Sequence, residues 1–136
     1  MLSYLALLLY HASSSVSLVK KVNLEVGSNC GSAAIYQVTS FVVTPWPIDP
    51  NEVGEIIMTG IFHQAVHVDD IFYATTYNSQ STTALTIAVQ ESFAVNATKT
   101  FEFTSQFSNE AGSYVGKVQL LTSQLISCWQ FEYTLD

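Results

Sequence analysis

Arginine is absent from this 136-residue chain, and lysine occurs only as Lys20, Lys21, Lys99 and Lys117. A nucleic-acid binder needs a dense basic face to replace counterions. DNA and RNA are therefore excluded as ligands. The same shortage removes a polybasic patch for docking on anionic membrane. Charge is sparse altogether, at 11% of residues, and 11 carboxylates set the net charge at −7. With 49% hydrophobic residues the chain is too apolar for a disordered polymer. The apolar run at residues 2–10 is well short of the ~20 residues that span a bilayer, and no other run is long enough. Catalytic constellations are lacking as well. The segment Gly112-Ser113-Tyr114-Val115-Gly116 has the wrong spacing for a nucleophile elbow. No glycine-rich phosphate loop leads from a strand into a helix, and the carboxylates are scattered. No enzymatic activity and no cofactor are expected.

The amino-terminal run, LSYLALLLY, is followed by the small polar stretch HASSSVS. Ser15 and Ser17 stand at the −3 and −1 positions of a signal-peptidase site. Residues 1–17 are therefore expected to be a signal peptide and residues 18–136 the mature domain, in a secreted or lumenal compartment. The alternative is an apolar leader that stays attached. In an oxidising compartment the even cysteine count, Cys30 and Cys128, implies a disulfide. It closes a loop of 98 residues, worth ~4 to 5 kcal/mol on the chain-entropy model. Asn96-Ala97-Thr98 is an N-glycosylation sequon.

The mature region reads as strands throughout. β-Branched and aromatic residues alternate with polar ones over residues 35–44, 55–64, 71–77, 83–89, 100–107, 114–121 and 126–135. Three prolines, Pro45, Pro47 and Pro50, break the chain after the first of these, and a turn is expected at Val68-Asp69-Asp70. No helical period is sustained. Seven or eight short strands at this spacing define an all-β sandwich. On the last strand Trp129, Phe131, Tyr133 and Leu135 share one face. His63, His67 and Asp69 occupy odd positions and can line up on a continuous strand, but a zinc site needs three or four convergent ligands. Metal binding is not expected there.

Cys30 followed by Trp46 resembles the first half of an immunoglobulin pattern, but Ile126 stands where a tyrosine corner belongs and the cysteines lie too far apart. A different set of motifs is more informative: NCGS (29–32), TPWP (44–47), EIIMTGIF (55–62), AGSYVGKVQLL (111–121) and ISCWQFEYTL (126–135). In this order the chain from Asn23 to Asp136 resembles the MD-two-related lipid-recognition (ML) domain family. The resemblance implies an immunoglobulin-like two-sheet β-sandwich with an internal apolar cavity and a lipid held between splayed sheets. It also implies pairing of Cys30 with Cys128, as a staple between the sheets. The chain departs from the family pattern at Trp46, where a cysteine is usual, and lacks a further internal cysteine pair.

Function follows as an expectation. The resemblance makes Trp129 the best-supported wall of a lipid cavity, with Phe62 and Tyr114 next. Phe101 and Phe103 are added by strand alternation, and Phe131 by its place on the last strand. The expected ligand is a small apolar lipid, a sterol or fatty acid, passed to or from a membrane or protein acceptor. The missing arginine disfavours phosphate-rich lipids. Burial of apolar area, at ~25 cal/mol per Å², is an adequate driving force without a charged anchor. The alternative is a structural or interaction sandwich with a filled core, in which Trp46 or Tyr73 is buried against a partner.

Overall fold

A computed structural model describes residues 26–32 and 34–136. The signal peptide expected at residues 1–17 lies outside the described residues. Among the described residues eight strands are formed: β1 (Ser28–Asn29), β2 (Tyr36–Thr44), β3 (Val53–Phe62), β4 (Val66–Tyr77), β5 (Gln80–Phe93), β6 (Thr98–Gln106), β7 (Gly112–Leu121) and β8 (Leu125–Leu135). They make two antiparallel sheets, one of five strands in the order β1-β8-β7-β4-β5 and one of three in the order β2-β3-β6. This is the all-β, immunoglobulin-like sandwich read from the alternation.

Period-two patterning places the core. In β3, Ile56, Met58, Gly60 and Phe62 are buried while the intervening residues are not. In β8 the alternation runs cleanly from Phe131 to Leu135. The hairpin joining β4 to β5 turns on Asn78 and Ser79, both at positive φ (48° and 72°), as a two-residue turn matched to strand twist requires.

The turn expected at Val68-Asp69-Asp70 is instead continuous strand in β4, opposite a bulge in β5. Val68 pairs with Glu91 and Asp70 with Ala88, so Asp69 faces two residues of β5. Gln90 takes up the extra length at φ 48°, and its amide donates to the Asp69 carbonyl at 3.1 Å. A bulge bends a strand without ending it. Acidic residues that resemble a turn are therefore accommodated within β4 and β5, which run on past the expected limits.

One flank of the sandwich is stitched shut. Val26 N–H donates to Phe41 O of β2 across the gap between sheets, at 3.1 Å. The Trp129 indole donates to Val26 O at 2.8 Å. Directly after Val26, Gly27 sits at φ 94°, where a Cβ would strike Gln130 O and the Trp129 indole, so only glycine fits. Cys30 and Cys128 are disulfide-bonded. Because β1 pairs with β8, this bridge lies within the five-stranded sheet. It is not the sheet-to-sheet staple that the resemblance implies; the Val26 hydrogen bonds make that link. On the opposite flank β5 and β6 are the outer strands of their sheets and are not hydrogen-bonded to each other. There Lys99 of β6 reaches Glu91 of β5 at 3.5 Å.

Candidate functional site: an aromatic cleft on the open flank

The rings between the sheets form two groups. The larger runs as a chain of contacts: Tyr114 on Tyr133 (5.0 Å between centroids), Tyr133 on Phe131 (5.7 Å), Phe131 on Phe41 (5.5 Å) and Phe41 on Trp129 (5.7 Å). Tyr73 joins it, 6.4 Å from Phe131 and 5.4 Å from Phe103. The smaller group, near the other end, packs Phe62 on Tyr36 at 4.7 Å and on Phe93 at 4.6 Å, with Phe101 against both partners.

At the outer end of the larger group a half-open cleft of about 450 Å³ lies between the sheets. Such a volume is within the range of small-molecule sites. Tyr77, Phe107, Tyr114 and Tyr133 supply its aromatic surface. The β6–β7 connection holds two of these in place, since Tyr114 OH donates to Glu110 O at 2.7 Å and Tyr77 OH to Ala111 O at 2.8 Å. Thr75, Thr83 and Ser105 add hydroxyls along the walls, and Asn51, Gln106 and Asn109 add polar groups at the rim. Among the described residues Glu110 is the one charged residue in the lining.

Tyr73 lies beneath this lining, 4% exposed, and its hydroxyl makes no well-formed hydrogen bond. Burial pushes its phenol pKa up, an effect partly offset by the nearby hydroxyls of Thr75 and Ser105. Tyr133 is shifted the same way, first by burial and then by the neighbouring phenols of Tyr73 and Tyr114. The phenols at the base of the cleft are thus held neutral.

A shallower cleft of about 270 Å³ opens further along the same flank, with Ile71, Ile87, Val89 and Phe101 on its apolar side. Lys99 lies at this cleft and over the Phe93 and Phe101 rings, at 5.7 and 5.8 Å.

The six residues singled out in the sequence are therefore distributed. Tyr114 lines the larger cleft. Phe103, Phe131 and Trp129 continue inward along the same ring stack, with Trp129 half-buried. Phe62 and Phe101 belong to the second group, and Phe101 lines the shallower cleft. Tyr73, Phe107 and Tyr133 were missed. Tyr73 and Tyr133 carry the signal of alternation, beside Ile71 and Phe131. Trp46 is half-buried against Phe131 and Tyr73 is in the core, so Tyr73 does not present itself to a partner. His63 bonds Gln37 at 2.8 Å, while His67 bonds Ser92 at 2.8 Å and faces Asp69 at 3.6 Å. Among the described residues no three His, Cys, Asp or Glu side chains converge as metal ligands. Asn96 of the sequon is exposed on the loop between β5 and β6.

Fold and cleft together define an immunoglobulin-like sandwich with a concavity between its sheets. The structure is similar to the C-terminal domain of Wzt, at TM-score 0.66 and 8% identity over 87% of this chain and 84% of that one. It is also similar to a Niemann-Pick type C2 protein from the Japanese carpenter ant, at TM-score 0.62 and 10% identity, covering 82% of this chain and 99% of that one. A third similarity, at TM-score 0.56 and 16% identity, covers 79% of this chain but 32% of the alkylpurine DNA glycosylase AlkC of Pseudomonas fluorescens. At these identities the likeness is one of fold. No family model and no curated protein matches the sequence.

Proposed function

We propose that the chain is an ML-type carrier that takes a neutral lipid, a sterol or a fatty acid, between its two sheets in a secreted or lumenal compartment. One observation carries this reading: the sandwich is stitched along the β1–β8 and β2 flank, while the β5–β6 flank holds an aromatic cleft that leads into a continuous ring stack. Two further observations support it: the ordered motifs that resemble those of the ML family, and a fold similarity that spans nearly the whole of a Niemann-Pick type C2 protein.

The mechanism is passive. The lipid lodges against Tyr114, Tyr133 and Phe107, and the β5 and β6 edges part. Phe103, Phe131 and Trp129 then exchange ring contacts for lipid contacts. Phe62 and Phe101 play the same part for a chain reaching the second ring group. Burying about 300 Å² of apolar lipid contributes roughly 7 kcal/mol before association costs. No covalent step and no cofactor is required.

The test is titration of delipidated protein with dehydroergosterol and with cis-parinaric acid, alongside mass spectrometry of an organic extract of the native protein. Saturable one-site binding of either probe is expected. If neither binds and the extract holds no lipid, the ring stacks are simply a filled core and the structural sandwich is the correct reading.

A further inference from the structure

We infer that the Tyr73 hydroxyl is the inner polar anchor of the larger cleft, and that the ligand is an uncharged amphiphile bearing a hydroxyl, seated with that hydroxyl inward. The inference rests on the lipid-binding reading above and narrows it.

A buried hydroxyl that makes no well-formed hydrogen bond is an uncommon feature that calls for an explanation. Tyr73 is such a group, and the hydroxyls that influence it, Thr75 and Ser105, both line the cleft. A group entering the cleft meets the Thr75 and Ser105 hydroxyls at its wall, and the Tyr73 hydroxyl lies behind them. Each of these can donate and accept, and an incoming alcohol does both as well.

A carboxylate fits poorly at the same place. Among the described residues the lining carries Glu110 and no cation, so an ionised head group loses hydration with no opposite charge to offset it. Among the described residues the cations are Lys99, at the other cleft, and Lys117, exposed on β7. With the hydroxyl inward, the apolar body lies against Tyr77, Phe107, Tyr114 and Tyr133.

Radiolabelled 1-dodecanol, dodecane and dodecanoate, partitioned by equilibrium dialysis against the parent and against Tyr73→Phe, test the inference. In the parent, dodecanol should bind about tenfold or more tightly than dodecane, equivalent to the making of one buried hydrogen bond. Dodecanoate at neutral pH should bind more weakly than dodecanol. In Tyr73→Phe the alcohol preference should collapse while dodecane binds as before. Ser105→Ala, at the cleft wall, should reduce the preference in part, and it provides the same readout should the first variant fold poorly.

If the three chains bind but the parent shows no preference, or Tyr73→Phe and Ser105→Ala both retain it, the anchor is refuted while lipid binding stands. If neither these chains nor dehydroergosterol binds the parent, both readings fall.

Discussion

Phe131 and Gly116 should be strongly coupled, and the size of that coupling follows from their geometry. They are direct partners across β7 and β8. The Phe131 ring, 1% exposed, lies over Gly116 and touches Phe41, Trp46, Tyr73 and Tyr133. A Cβ at residue 116 would stand 2.6 Å from Phe131 Cζ and 2.7 Å from Cε1. That is far inside van der Waals contact, and the ring is hemmed in on its other sides. Gly116→Ala alone should therefore cost about 1–3 kcal/mol through overpacking. Phe131→Ala alone should cost about 3–5 kcal/mol through the lost transfer energy and the cavity left behind. With the ring gone, the methyl introduced by Gly116→Ala points into vacated space and fills part of it. The double variant should then be more stable than the sum of the single effects by at least ~1 kcal/mol. Urea unfolding followed by far-ultraviolet circular dichroism reads all four corners of the cycle. Additivity within about 0.5 kcal/mol would refute the packing argument.

Replacing Cys30 and Cys128 by serine should lower the unfolding free energy by ~4 to 5 kcal/mol, because the bridge closes a loop of 98 residues. Trp129 emission should also shift as Val26 leaves its indole; an unchanged urea midpoint would show that the bridge constrains little. Stability should also fall at alkaline pH. Tyr36, Tyr73 and Tyr133 have folded-state pKa values raised by burial above the ordinary 10.0. Their contribution is fully present below about pH 10, and above it the unfolded phenols release protons that the folded ones keep. Urea midpoints between about pH 8 and pH 11.5 should be flat up to about 10 and then decline; a profile that stays flat throughout contradicts the buried phenols.

Strand existence was legible wherever the period-two pattern ran without interruption. Residues 35–44 and 126–135 became Tyr36–Thr44 and Leu125–Leu135 almost unchanged. It was less legible where polar residues occupy or face a bulge. Asp69, Asp70 and Gln90 carry the chemistry of a turn, and only the pairing of β4 with β5 shows them absorbed within the ladder. The disulfide was legible from the even cysteine count together with the secretory reading of the leader. Its place within one sheet was not, because that depends on β1 joining β8, a pairing of two residues with no pattern of its own. For the candidate site, alternation identified inward-facing rings such as Tyr114 and Phe131. Which rings touch is set by how the sheets lie against each other. That arrangement put Phe62 and Phe101 in a separate group and brought Tyr73 beneath the cleft.

The pairing of β1 with β8 also orders events during synthesis. Cys30, Gly27 and Val26 leave the ribosome about a hundred residues before their partners at Cys128, Gln130 and Trp129. At a translation rate of roughly 5–20 residues per second the early segment waits several seconds with its partners still unmade. Through that interval the Cys30 thiolate is free to attack any disulfide it meets, forming a mixed disulfide and releasing the other sulfur as a thiolate. The β2–β3 hairpin can form meanwhile, but the five-stranded sheet cannot close its first edge. Completion of this sandwich therefore waits by topology for β8, and its yield should depend on thiol–disulfide exchange after that strand emerges.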